Sequence, residues 1–180
     1  LLQNVSEFLG YFTYGMSEQI GLAFVHIYMI SLYFLFPSVF ILALTLVEFK
    51  HLKAARAVLF GISFWISVAH LGGYIVDSIK FVGWSAITTP GTYYWAAIGF
   101  AMLMAISTVA ILFKNYIANS NFEIRNRCKV NLLAFAPMFM VVALVVLFRL
   151  AGFDSSTAIT MPAATIFFLF VMLLQTNGNI

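Results

Sequence analysis

Long hydrophobic runs, separated by short polar stretches, occupy most of the chain. Five of these runs are each long enough to cross a bilayer, which takes about 20 residues in a helix. They are apolar on every face, whereas the strands of a membrane barrel alternate apolar and polar residues. Because a helix satisfies its own backbone groups within lipid, the pattern predicts an all-α fold, a polytopic transmembrane bundle of about five helices. The predicted helices cover residues 19–49, 54–79, 93–118, 130–152 and 157–175.

Proline and glycine residues mark where these helices can depart from a regular shape. The first predicted helix is longer than a bilayer requires, so we expect it to tilt, kink or protrude. Pro37 near its middle removes one backbone donor, which makes it the expected position of a kink. Gly72 and Gly73 in the second predicted helix, and Gly99 in the third, allow a neighbouring helix to approach closely.

The two ends of the sequence suggest a fragment of a longer chain. It begins with Leu1 rather than methionine, and residues 1–18 are mixed and aromatic, as expected for the end of an earlier helix and an interfacial turn. It stops at Ile180, a few polar residues after the fifth predicted helix. We therefore expect residues 1–180 to form a single transmembrane domain with more chain on both sides.

Composition and charge support a membrane location and predict its orientation. The chain is 63% hydrophobic and only 8% charged, against roughly 25% charged residues in soluble domains. The net charge of +3 does not indicate nucleic-acid binding. The positions of the basic residues along the chain instead predict its orientation in the membrane. Seven of the nine basic residues lie around two predicted loops, at Lys50, Lys53, Arg56, Lys114, Arg125, Arg127 and Lys129. The positive-inside rule predicts that these loops and the C-terminus lie in the cytoplasm and that the N-terminal segment lies outside.

A few ionisable residues fall within the predicted helices, where they are costly and therefore informative. His26, His70 and Arg149 lie in the predicted outer half of the bundle, and Asp77 is expected two helical turns beyond His70 on the same face. These positions predict an outward-facing pocket. In it Arg149 is suited to bind a carboxylate or phosphate, and the histidines can form hydrogen bonds or respond to pH. The candidate ligand-binding residues are Arg149, His70, His26, Asp77, Tyr74, Tyr33 and Trp95.

Each of these residues also has a purely structural interpretation, which the sequence leaves open. Arg149 can extend to the headgroups or pair with Asp154 or Asp77. The two histidines can hydrogen-bond a neighbouring helix. Asp77 and Lys80 can be ordinary charges at the membrane surface.

Motifs for catalysis or metal binding are missing from the sequence. It contains no HExxH motif and no histidine cluster of the kind that membrane di-iron enzymes use. The fifth predicted helix lacks the lysine that a retinal Schiff base requires. Cys128, in a predicted basic loop, is the only cysteine and is expected to be an unpaired thiol. We therefore expect a non-enzymatic module without metal or cofactor.

The second half of the chain resembles a known family of membrane sensors. Pro90 and Gly91, followed by two tyrosines, open one predicted helix. A basic inner loop, EIRNRCK, leads into a helix that carries Pro137, and the last helix has Pro162 near its start. The segment YFLFPSVFILALTLVEFKHLK is similar to that family's third helix. Together these features resemble the N-terminal seven-helix sensor region of bacterial signalling proteins, which precedes histidine kinases, diguanylate cyclases or other output domains and includes receptors resembling quorum-sensing kinases.

This resemblance implies a function and leaves two alternatives. The five predicted helices correspond to helices three to seven of a sensor in a two-component system. Such a module binds a small apolar or amphiphilic ligand, anionic and fatty-acid-like if Arg149 contacts it, and relays the signal to a cytoplasmic output domain in the same chain. A transporter or channel subunit is one alternative, with His26, His70 and Asp77 lining a polar path. A structural subunit of a larger membrane complex is the other. The sequence leaves a homodimer open.

Overall fold

The computed structural model describes Leu9 and residues 17–82 and 85–151. In this part of the chain, four helices and one β-hairpin follow each other in the order α1 (Glu18–Leu46), α2 (Leu52–Leu71), β1 (Val76–Val82), β2 (Ser85–Pro90), α3 (Tyr94–Ala118) and α4 (Phe122–Leu150). By length and composition, α1, α2 and α3 can each cross a membrane. The prediction of a mostly helical, membrane-embedded chain is confirmed to this extent. The fifth predicted helix, at 157–175, lies outside the described residues, so the five-helix bundle stays a prediction.

Contacts between residues divide the chain into two compact units. The first unit consists of Leu1–Ile41 and His51–Met104, and the second of Leu42–Lys50 and Ala105–Ile180. The first unit therefore contains most of α1, all of α2, the hairpin and the beginning of α3. The second contains the end of α1, the rest of α3 and α4.

Helix α1 continues through Pro37 and ends three residues before its predicted end. The N–H of Phe49 donates to the carbonyl of Leu44 at 3.0 Å, and the N–H of Glu48 donates to that of Thr45 at 3.1 Å. Glu48 has a φ of 56°, in the left-handed region. These bonds form a Schellman motif, in which glycine usually occupies the left-handed position. Helix α1 therefore ends by local backbone geometry, with glutamate in a position that favours glycine.

Helix α2 ends at Leu71, so the prediction of a helix up to residue 79 is wrong. The N–H of Gly73 donates to the carbonyl of His70, and the N–H of Tyr74 donates to that of Ala69, both at 3.0 Å. Gly73 has a φ of 79°, which glycine adopts without the steric cost of a Cβ. Gly72 and Gly73 thus terminate the helix, and the expectation that they admit a neighbouring helix is wrong because they follow its last residue.

A β-hairpin occupies the segment that the sequence assigned to a helix and a loop. Strands β1 and β2 are antiparallel, and Ile79 pairs with Thr88. The register shifts between Val76 and Ser78, where Asp77 lies. Valine, isoleucine and threonine recur in the two strands, and such branched residues favour strands over helices. The described part of the chain is therefore mostly helical, as predicted, and adds one two-stranded sheet that the sequence analysis did not predict.

The base of the hairpin packs into the core of the first unit. The buried cluster consists of Ile75, Val76, Tyr94 and Ala97, and the side chains around it come from α1, α2, β1 and α3, at Tyr33, Ile66, Ala69, Ile79 and Ile98. Gly91 permits the close return of the chain, because a Cβ there would lie 2.6 Å from the carbonyl oxygen of Tyr74. The N–H of Gly91 donates to the carbonyl of Ile75 at 2.9 Å. The hairpin is therefore tied to the ends of both flanking helices.

In the second unit, residues 119–121 connect α3 to α4. The side-chain oxygen of Asn121 accepts the N–H of Glu123 at 2.9 Å, which is a helix N-cap, and Glu123 pairs with Arg127. Helix α4 therefore begins at Phe122, eight residues before its predicted start at 130. Cys128 is buried in this helix, so its predicted location in a loop is wrong.

Candidate functional site

The buried face of α2 is polar and its exposed face is apolar, the reverse of a helix in a soluble protein. The buried residues follow helical spacing, at Leu59, Ser63, Ser67 and His70. Large apolar side chains occupy the exposed face, among them Val58, Phe64, Trp65 and Leu71. Within a bilayer, apolar side chains can contact lipid while polar ones turn toward protein. The pattern of α2 is therefore that of a membrane helix, and its polar face marks where to look for a site.

Hydrogen bonds among three side chains join that polar face to α1. His26 Nδ1 lies 2.9 Å from His70 Nε2, and Tyr33 Oη lies 3.1 Å from His70 Nδ1. Both ring nitrogens of His70 are thus hydrogen-bonded, and the residue is only 1% exposed. The rings of His26 and Tyr33 each meet the His70 ring edge-on. We call these three residues the His–Tyr cluster.

Two serines extend the polar contact along α2. Ser63 Oγ donates to the backbone carbonyl of Tyr33 at 2.9 Å, which ties α2 to the same turn of α1. Ser67 Oγ donates to the carbonyl of Ser63 at 2.8 Å, within its own helix. Beside these bonds the rings of Phe34 and Phe60 pack with their centroids 6.0 Å apart. The cluster is therefore supported by a polar side-chain-to-backbone bond and by apolar packing.

The His–Tyr cluster combines groups that both donate and accept hydrogen bonds. A neutral imidazole has one N–H and one acceptor nitrogen, and a phenol can act in either role. Their bonds therefore depend on one another, because a change of tautomer at His70 reverses its role toward both partners. The arrangement can hold a polar ligand group or move a proton, and two histidines alone are a sparse metal site. Within the described residues there is no group of three or more His, Cys, Asp and Glu side chains that could hold a metal ion.

The structure brings together three of the predicted site residues, His26, His70 and Tyr33. Tyr74 is exposed just after α2, with its ring centroid 6.2 Å from that of Tyr93. Trp95 is exposed at the start of α3 and contacts Tyr94.

Asp77 and Arg149 are the two remaining predicted site residues. Asp77 is exposed on β1, so the expectation that it shares a helical face with His70 is wrong. The reason is the end of α2 at Leu71, after which helical spacing no longer applies. Arg149 falls in the last turn of α4, and its side chain lies outside the described part of the structure.

Ser63 is the polar residue of this contact that the predicted site does not include. Its signal was present in the sequence, because Ser63, Ser67 and His70 are four and three residues apart and so lie on one helical face. In an otherwise apolar helix, such a polar stripe indicates the side that turns toward protein.

Comparisons of the chain with protein-family models, with curated proteins and with solved structures find no match. The geometry of the His–Tyr cluster is therefore the basis on which a function is assigned.

Proposed function

We propose that the chain is a transmembrane signal-receptor module that binds a small apolar or amphiphilic ligand at the His–Tyr cluster. The observation that carries this proposal is the bonding of His70, a buried residue of α2, to two side chains of α1. A ligand that bonds to one member of the cluster changes the partners available to the others. Binding would thereby alter the contact between two membrane-length helices.

Such a change transmits a signal only if the ligand prefers one arrangement of the helices over another. Hydrogen bonds between membrane helices contribute about 0.6 kcal/mol on average and up to about 1.7 kcal/mol. Exchanging one or two of them is therefore enough to shift an equilibrium between two packings several-fold. Ordinary ligand hydrogen bonds are of the same size.

The charge distribution and the resemblance to seven-helix sensors support the rest of the proposal. On this basis we propose that the His–Tyr cluster lies in the outer half of the membrane and that the C-terminus lies in the cytoplasm, next to an output domain such as a histidine kinase. Arg149 remains the proposed partner for an anionic ligand group.

Binding of lauric acid to the chain in lipid nanodiscs tests the proposal. We expect saturable binding that weakens roughly tenfold in Tyr33→Phe and in His26→Leu, since neither new side chain can donate a hydrogen bond and one lost hydrogen bond corresponds to about 1.4 kcal/mol. Ser38→Ala is the matched control, because Ser38 lies exposed on α1 and donates only to the carbonyl of Phe34. Absence of saturable binding, or equal affinity in all four proteins, would contradict the proposal.

A proton-transporting subunit is the second candidate, since three groups able to exchange protons stand in a row. Against it, the hydroxyls of Ser63 and Ser67 donate to backbone carbonyls and do not continue the row. Proton flux into proteoliposomes containing a pH-sensitive dye distinguishes the two. Flux that Tyr33→Phe abolishes would favour transport over sensing.

A further inference from the structure

We infer that the His–Tyr cluster has one fixed direction of hydrogen bonding, so that it offers a ligand a single donor, His26 Nε2–H, and selects an anionic oxygen acceptor. The ligand part of this inference rests on the proposed function. The direction of the bonds is a property of the protein itself.

Counting protons leaves two arrangements of the neutral cluster. In the first, Tyr33 O–H donates to His70 Nδ1, and His70 Nε2–H donates to His26 Nδ1. In the second, His26 Nδ1–H donates to His70 Nε2, and His70 Nδ1–H donates to Tyr33 Oη. Both fit the distances of 2.9 Å and 3.1 Å between the heavy atoms. In the first arrangement the proton without a partner is on His26 Nε2, and in the second it is on Tyr33 Oη.

The position of Tyr33 decides between them. In the second arrangement its hydroxyl proton needs another acceptor, and Tyr33 Oη has no partner except His70 among the residues that the structure describes. Tyr33 is half-buried and packs against the buried cluster of Ile75, Val76, Tyr94 and Ala97, where an unpaired donor is costly. In the first arrangement the remaining donor is His26 Nε2–H. His26 is half-buried, as Tyr33 is, and among the described residues its only side-chain hydrogen bond uses Nδ1, which leaves Nε2–H for a ligand.

A ligand preference follows from this direction. A carboxylate or a phosphate oxygen can accept from His26 Nε2–H without disturbing the cluster. A ligand group that only donates, such as an ammonium, would have to reverse both bonds and leave the Tyr33 hydroxyl unpaired. The cluster should therefore distinguish an aliphatic acid from the amine of equal chain length.

Nitrogen-15 NMR of histidine-labelled chain in nanodiscs tests the direction without any ligand. His51→Gln removes the third histidine of the sequence, and His26→Gln assigns the remaining signals. We expect His26 and His70 each to be protonated at Nε2 and unprotonated at Nδ1, and Tyr33→Phe to give a mixture of tautomers at His70. A His26 ring protonated at Nδ1 overturns the inference, whatever ligands bind.

Ligand titration in the same samples tests selectivity. We expect laurate to bind at least tenfold more tightly than dodecylamine in zwitterionic nanodiscs. Nanodiscs of phosphatidylglycerol without laurate distinguish a lipid headgroup from a free acid as the source of the acceptor, because a headgroup that fills the site will weaken laurate binding. Preference for the amine overturns the ligand part. The expected tautomers without laurate binding support the bond direction and contradict the proposed function.

Discussion

His70 and Asn131 are both buried polar side chains, and they differ in how fully their hydrogen-bonding groups are satisfied. Both ring nitrogens of His70 have side-chain partners on another helix. Asn131 donates to the backbone carbonyl of Arg127 at 2.8 Å, while its Oδ1 has no partner among the residues that the structure describes. A buried unsatisfied group costs about 1–3 kcal/mol. Hydrogen bonds thus compensate for the burial of His70, whereas the burial of Asn131 leaves one acceptor uncompensated among the described residues.

A double-mutant cycle measures the bond between the histidines. We expect His26→Leu and His70→Leu to show a coupling of about 0.6–1.7 kcal/mol in the free energy of unfolding, the range found for membrane helices. Unfolding in detergent, followed by circular dichroism, provides the measurement. A cycle between His26 and Ser38, which share no contact, is the control and should give zero coupling. The same result in both cycles would rule out a specific bond.

Replacing Asn131 should have little effect on stability. Asn131→Leu removes one bond within α4 but also removes a buried acceptor that has no partner. These effects oppose each other, so we expect the free energy of unfolding to change by less than about 1 kcal/mol. A loss of several kcal/mol in the same detergent assay would show that Oδ1 has a partner after all.

Cys128 should react slowly with alkylating reagents. Its side chain is fully buried, it precedes the predicted span at 130–152, and burial raises the pKa of its thiol. Because the thiolate is the reactive form, a raised pKa leaves less of it at a given pH. We expect alkylation at pH 8 to be roughly tenfold slower than at an exposed cysteine, and to accelerate as the pH rises. Ser120→Cys in a Cys128→Ala background supplies the exposed comparison.

Among the secondary-structure elements, the two helix ends of the Schellman type differ in the residue that occupies the left-handed position. Gly73 fills it after α2, and Glu48 fills it after α1. A non-glycine residue in the left-handed region costs about 1–2 kcal/mol. The end of α1 is therefore strained where the end of α2 is not.

Glu48→Gly should stabilise the chain. Relief of the left-handed backbone is partly offset by the greater freedom of glycine in the unfolded chain, so we expect a gain of about 0.5–1 kcal/mol in the free energy of unfolding. Glu48→Ala removes the carboxylate and keeps the Cβ, and it should give no such gain. Equal effects of the two substitutions would assign the change to the charge.

How much of these elements the sequence predicts depends on the signal that each residue carries. The spanning helices were predictable because lipid demands long apolar runs. The end of α2 was also readable, since Gly72-Gly73 is a turn signal and branched residues follow it. The pairing of His26 with His70 was not, because it depends on how α1 is rotated against α2. Apolar residues occupy most positions on every face of α1, so its sequence does not show which face turns toward α2.

For the whole molecule, the three membrane-length helices predict on which side each connection lies. If α1, α2 and α3 each cross once, the hairpin lies on one side of the membrane. The α1–α2 and α3–α4 connections, with Lys50, Lys53 and Arg125 near them, lie on the other. The basic residues thus gather on one side, as the positive-inside rule requires of the cytoplasmic face.

Sided labelling tests this topology. Lys80→Cys on β1 and Ser120→Cys between α3 and α4, each in a Cys128→Ala background, both present exposed positions. We expect a membrane-impermeant maleimide to label Lys80→Cys in intact spheroplasts and Ser120→Cys only in inverted vesicles. Labelling of both from the same side would contradict the predicted crossings.

The hairpin also predicts how deep His70 lies in the membrane. Among the described residues no third strand pairs with the hairpin, and unpaired backbone groups are costly in hydrocarbon, so we expect the hairpin to lie in the headgroup layer or in water. If α2 crosses the membrane and the boundary of the hydrocarbon falls at its end, His70, one residue before that end, lies about 1.5–3 Å inside the boundary. An amphiphile dissolved in the leaflet on that side, with its polar end at that level, would then reach His70 laterally from the lipid. Its concentration in the leaflet, rather than in the surrounding water, would then set the occupancy of the site.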